Sequence, residues 1–140
     1  MVIVADTNVF IGACLGVGAC NAVIAACLRG EHQPLMAAAL FAEYEDVLGR
    51  SGLFQGCRLT QDERETLLDA YVARCRWTRI YFGWRPNLTD EGDNHLIELA
   101  VAGGAGSIVT RNIRDFERAE LRFPYLRFRT PEAFLEETRP

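Results

Sequence analysis

The chain of 140 residues reads as an α/β protein with a parallel sheet covered by helices on both faces. Three observations carry that reading. Short runs at residues 2–5 and 34–36 are wholly apolar and that at 107–110 has an Ile-Val centre, as strands buried on both faces do. Stretches of helical periodicity long enough to cross back over a sheet separate them. Two of the runs lead into acidic residues, and open parallel sheets bind ligands just outside the carboxyl ends of their strands.

Taken in order, residues 2–5 (Val-Ile-Val-Ala) form a first strand that ends at Asp6. Helical pattern follows to Leu28, where Arg29-Gly30 is a C-terminal signal. Gly-Val-Gly at 16–18 breaks that pattern into a short helix and a second, buried one beginning near Asn21. Residues 34–36 make a second strand. Residues 38–48 set Leu40, Phe41, Tyr44, Val47 and Leu48 on one helical face. After a loop at 49–57, Thr60-Gln61-Asp62-Glu63 is a capping-box pattern that opens a helix to about Cys75. A third strand is predicted at 78–82, then a polar loop at 83–92. A helix at 93–102, a strand at 107–110, a last strand at 125–128 and a helix at 131–137 complete the chain. No linker or repeat divides it, so residues 1–140 are read as one domain.

Composition removes several chemistries. All 15 basic residues are arginine, so lysine-dependent phosphate loops, Schiff bases and receiver-type phosphoacceptors are excluded. The net charge of −4 is unlike that of a protein coating a polyanion, although a local arginine patch could still meet nucleic acid. The five cysteines (Cys14, Cys20, Cys27, Cys57, Cys75) include no CxxC pair and read as reduced thiols in a cytoplasmic protein. Residues 7–28 carry no charge. They are largely Ala, Gly and Cys, Asn21 interrupts them and no basic segment precedes them, so they read as core and not as a membrane span.

The carboxylates carry the functional reading. Asp6 and Asp115 follow predicted strands on one sheet edge. At about 100° per residue, Asp93 falls inside the apolar sector of Leu96, Ile97, Leu99, Ala100 and Val101, while His95 and Glu98 point away from it. A carboxylate on that face needs a partner, a metal ion or the wet helix end. Glu43 and Glu45 flank the stripe of their helix on opposite edges, and periodicity does not choose between them. Four such acids at one edge would form a hard-oxygen site suited to Mg²⁺ or Mn²⁺, which bridges to phosphate oxygens and activates water. Arg111 and Arg114, beside Asp115, are the candidates for backbone phosphate contacts, extended along one face by Arg118 and Arg122. Trp77, Tyr81, Phe82 and Trp84 read first as strand packing and second as a base-stacking platform. His32 and His95 are given no role.

Four motifs in order resemble the PIN-domain ribonucleases, in the VapC-like form common among toxins of bacterial type II toxin–antitoxin pairs. They are Val2-Ile3-Val4-Ala5-Asp6-Thr7-Asn8-Val9-Phe10, Glu43-Tyr44-Glu45-Asp46-Val47-Leu48, Gly92-Asp93-Asn94-His95-Leu96-Ile97-Glu98-Leu99-Ala100 and Ile108-Val109-Thr110-Arg111-Asn112-Ile113-Arg114-Asp115-Phe116. By position the resemblance implies a catalytic and metal-binding quartet of Asp6, Glu43, Asp93 and Asp115, which selects Glu43 over Glu45. Asn8 and Thr110 match polar supporting positions. Asn112 also stands near the quartet, where many relatives carry another aspartate. The family further implies a three-layer α/β/α sandwich, Mg²⁺- or Mn²⁺-dependent cleavage of RNA, frequent homodimers and a cognate antitoxin.

Two other readings compete. A haloacid-dehalogenase-type phosphatase also opens with strand and Asp, but it needs a second Asp where Asn8 stands, and usually a lysine. A non-catalytic PIN-like module binding RNA or protein would not need all four acids.

Overall fold

A computed structural model describes residues 1–80, 94–116 and 123–139, with the backbone alone for Asn94 and Asp115. Among them β1 (Val2–Ala5), β2 (Gln33–Met36), β3 (Arg76–Trp77), β4 (Ser107–Val109) and β5 (Arg127–Arg129) form one parallel sheet in the order β3-β2-β1-β4-β5. Helices α1 (Thr7–Cys14) and α2 (Gly18–Leu28) connect β1 to β2, and α3 (Ala38–Leu48) and α4 (Gln61–Arg74) connect β2 to β3. Helix α5 (Asn94–Gly103) precedes β4, and α6 (Pro131–Thr138) follows β5. The architecture is an α/β/α sandwich, as the sequence implies.

The central strands are buried because every residue in them is apolar or paired. Ile3, Val4, Ala5, Leu35, Met36, Ile108 and Val109 have no exposure at all. Each large side chain among them contributes about 1.5–3 kcal/mol on removal from water. The chain leaves β1 toward β2 on one side and returns to it as β4 on the other. The C-terminal end of β1 therefore lies at the point where the strand order reverses, the crevice where such sheets bind ligands. Register finishes the placement. Ala5 pairs with Val109, so the next residue on each strand, Asp6 and Thr110, stand side by side.

Several elements differ from their predicted limits for a tertiary reason. The third strand lies at Arg76–Trp77 and not at 78–82, because β2 pairs Leu35 with Arg76 and Met36 with Trp77. Of the predicted span, residues 81 and 82 lie outside the described residues, as does the loop at 83–92. The last strand is Arg127–Arg129, in register with β4, while Tyr125 is turned out with 61% exposure. Helix α2 begins at Gly18, since a single left-handed residue, Gly16 at φ +83°, is enough to turn the chain. The turn bends α1 and α2 by 105°, and no described helix is long and apolar enough to cross a membrane. All five cysteines are free thiols.

Helices α1 and α2 approach closely at Gly12. A Cβ there would lie 2.5 Å from the Sγ of the fully buried Cys20. Gly12→Ala is therefore expected to cost about 1–3 kcal/mol of stability, read as a fall in Tm. Adding Cys20→Ala should recover part of that loss, because the sulfur is the atom struck.

Candidate active site

Asp6 caps α1 from the end of β1 and is only 3% exposed. A carboxylate so buried requires donors. The Thr7 N–H donates to Oδ1 at 2.7 Å, and the Thr110 hydroxyl donates to Oδ2 at 2.8 Å. The Asn8 side-chain amide adds a bond to Oδ2 at 3.2 Å. All three donors are neutral. Burial pushes the Asp6 pKa up, partly offset by the Thr110 bond, and the nearby charge of Glu43 adds to the rise. No arginine or histidine among the described residues pairs with it.

Glu43 is brought to Asp6 by its neighbour in sequence. Tyr44 is fully buried and donates from its hydroxyl to the Ala5 carbonyl at 2.8 Å, pinning α3 to the end of β1. With Tyr44 turned inward, Glu43 faces the sheet edge while Glu45 stays exposed. The Thr7 hydroxyl donates to Glu43 Oε1 at 3.0 Å, and His95 Nε2 lies 2.7 Å from Oε2. The His95 bond holds the Glu43 carboxyl below the usual glutamate value despite partial burial.

The polar positions implied by the resemblance are wired into this cluster. Asn8 Oδ1 accepts from the Arg111 backbone N–H at 3.1 Å, and Asn8 Nδ2 also reaches the Thr110 hydroxyl at 3.3 Å. The Asn112 N–H donates to Thr110 Oγ1 at 3.0 Å, while the Asn112 side chain is exposed. Thr110 therefore joins Asp6, Asn8 and the turn after β4 through one buried oxygen. The backbone of Asp115 lies in the 3-10 turn Ile113–Phe116. Asp93, the Asp115 side chain, Arg118, Arg122, Tyr81, Phe82 and Trp84 lie outside what is described. Among the described residues, no three of His, Cys, Asp and Glu form a group that could hold a metal ion.

Arg111 and Arg114 both face solvent. Arg114 has no described ion pair, whereas Arg111 Nη1 is engaged with both carboxylate oxygens of Glu132 on α6, at 2.7 Å each. That guanidinium holds the Glu132 carboxyl below its usual range. Trp77 packs edge-on against Phe41, with ring centroids 5.6 Å apart, and remains 51% exposed.

Two residues of the site, and the burial of a third residue on α5, are not anticipated by the sequence reading. Thr7, silent inside the first motif, is the bridge between Asp6 and Glu43. His95, given no role, binds Glu43. Glu98, expected to point outward, is 9% exposed. A signal for the last two was present. Apolar residues at 96, 97, 99, 100 and 101 cover too much of the wheel for a one-sided helix, and a helix apolar nearly all round is buried nearly all round.

The PIN-domain family profile matches residues 2–114. No curated protein matches the chain by sequence. In three dimensions the chain is similar to one in the crystal structure of VapBC2 from Rickettsia felis bound to a DNA fragment from their promoter. The TM-score is 0.58 at 14% identity, over 93% of this chain and 98% of that one. At such identity the likeness concerns the fold.

The lowered pKa of Glu43 has a sign that can be tested. Its contribution to stability is present above the ordinary glutamate value of 4.5 and is lost as pH falls through the lowered folded value. Glu43→Gln should therefore lower Tm at neutral pH, with the gap to wild type closing below pH 4.5 in thermal melts.

Proposed function

The chain belongs to the PIN-domain family, whose members are generally nucleases, and from that premise we propose that it is a metal-dependent endoribonuclease and the toxin of a toxin–antitoxin pair. The observation that carries the reading is Asp6: a buried carboxylate at the sheet's switch point, held by neutral donors and raised in pKa by burial. Its charge, joined to that of Glu43 through Thr7, is the environment a small divalent cation stabilises. PIN-domain nucleases typically use divalent metals, and hard carboxylate oxygens suit Mg²⁺ or Mn²⁺. Asp6, Glu43, Asp93 and Asp115 are the residues assigned to hold the ion. When bound, it would lower the pKa of a water and screen charge developing on the phosphate.

The chain's own residues supply orientation. Thr110 and Asn8 fix the Asp6 carboxylate from one side and the Thr7 N–H from the other, so both oxygens are aimed before any ligand arrives. Thr7 and His95 do the same for Glu43. Arg114, without an ion pair among the described residues, is placed to meet a backbone phosphate, and Arg111 can do so on exchanging Glu132 for it. An antitoxin partner is in keeping with the toxin–antitoxin assembly of the Rickettsia felis neighbour. Homodimer formation and a cytoplasmic location complete the proposal.

Asp6→Asn and Asp93→Asn are each expected to abolish Mn²⁺-dependent cleavage of RNA by purified protein while the fold persists by circular dichroism. Retained cleavage in both would overturn the nuclease assignment. Thr110→Val keeps the side-chain shape and removes the Asp6 bond. It should weaken Mn²⁺ binding, followed by the ion-induced rise in Tm, by about 10–100-fold. Titrating RNA against Arg111→Ala/Arg114→Ala at stepped salt should show the log K against log[salt] slope shallower by roughly 0.7 per lost phosphate contact.

A further inference from the structure

At the end of α1 farthest from Asp6, two of the five thiols meet. Cys14 is the last residue of α1, and Cys57 lies 43 positions on, in the loop that leads into α4. The Cys57 thiol donates to the Cys14 carbonyl oxygen at 3.0 Å, so its sulfur rests against the backbone of Cys14 itself. Each cysteine stands within two residues of a left-handed glycine, Gly16 at φ +83° and Gly56 at φ +76°. A cavity of about 340 Å³ opens between those two turns and has Cys14 in its lining.

The surroundings are cationic. Arg64 of α4 is only 8% exposed, yet no carboxylate pairs with it among the described residues, and its Nε has no hydrogen-bond partner. It lies over the Phe54 ring and donates from Nη1 to the Leu59 carbonyl. Burying an arginine without a counter-charge is costly. Its charge reaches Cys14. Burial pushes the Cys14 thiol up to about 11 and Cys57 adds to the rise, while Arg64 opposes it. Arg58, exposed, follows Cys57 and lines the cavity. Oxidisable cysteines are found in such places: a partly exposed thiol beside cations that favour the thiolate, with a second sulfur at hand to resolve the product. The other three thiols differ. Cys20 and Cys27 have no exposure, and burial pushes Cys75 up to about 12.

We propose that Cys14 and Cys57 form a redox latch, closing to a disulfide when the chain meets a peroxide and reopening when a dithiol reduces it. Cys57 attacks the peroxide, the O–O bond breaks, and the sulfur becomes a sulfenic acid as water leaves. The Cys14 sulfur then displaces the sulfenic oxygen as a second water, and the S–S bond forms. Two thiols lose two protons and two electrons, and hydrogen peroxide becomes two waters. A dithiol reverses the bond by taking those protons and electrons' place, itself ending as a disulfide. The closed latch ties the C-terminal end of α1 to the segment entering α4. Helix α1 carries Thr7 and Asn8 at its other end, so the helix that serves Asp6 is the one held. None of this depends on the nuclease reading.

The test uses the full chain, treated with hydrogen peroxide, unfolded, alkylated with iodoacetamide and weighed by mass spectrometry. The reduced chain takes up five alkyl groups, one for each free thiol. The oxidised monomer should take up three, and peptide mapping should place the link between Cys14 and Cys57. Its Tm should rise by roughly 5–10 °C, since the bond closes a long loop of the unfolded chain. Dithiothreitol should remove both the link and the rise. Cys57→Ser, at a half-exposed position that tolerates the change, should take up four groups with or without peroxide and show no rise. Five groups after a peroxide dose that oxidises the urea-unfolded chain would overturn the latch. A link between other cysteines or between two chains would do the same, as would Cys57 driven on to sulfinic acid while Cys14 still alkylates. A mapped Cys14–Cys57 link that leaves Tm unchanged would also overturn it, because the bond would then hold nothing.

Discussion

The site depends on the satisfaction of one buried carboxylate. Asp6 follows the central strand, where water does not reach, and an ionised group there is tolerated only if its oxygens are bonded. The three donors that meet the need come from Thr7 and Asn8 in the first turn of α1 and from Thr110 past β4. The Ala5–Val109 register delivers Thr110, and the cap geometry delivers Thr7 and Asn8. Sheet pairing and helix capping thus converge on a single side chain. Because every donor is neutral, they fix its direction without cancelling its charge.

A second layer of constraint positions the partners. Tyr44 ties α3 to β1 through the Ala5 carbonyl and thereby decides which glutamate of α3 faces the acid. Glu43 is then held from both sides, by Thr7 of α1 and His95 of α5, so three helices contribute to one carboxylate. On the far side, the Arg111–Glu132 pair joins the turn after β4 to α6. It is a surface pair, of the kind worth no more than about 1 kcal/mol. An incoming phosphate could replace Glu132 at small cost.

What could be read in the sequence was what is local. The Thr60 capping box is present with both its bonds, Thr60 N–H to Glu63 Oε1 at 2.9 Å and Glu63 N–H to Thr60 Oγ1 at 3.1 Å. Helix α3 has the predicted limits, and Asp6 stands at the strand end where it was expected. What could not be read was set by partners distant in sequence. Strand β3 is two residues long because β2 offers two pairing partners, and the more apolar residues after it do not change that. Glu43 and Glu45 are equivalent by helical period, and only the family resemblance or the inward Tyr44 separates them. His95 and Glu98 were misread because the wheel of α5 was given one wet side, whereas the helix packs against β1, β2 and β4 and is enclosed nearly all round.

The parallel topology also orders events in time. Asp6 leaves the ribosome well before Thr110, and the hydroxyl that holds its Oδ2 belongs to that residue, 104 positions later. At translation rates of roughly 5–20 residues per second, that interval is about 5–20 s. Throughout it, β1 lacks β4 as a neighbour and the acid lacks its main donor. Nascent chains therefore pass that whole interval with the acidic cluster unassembled, and its geometry is complete only once β4 has joined the sheet.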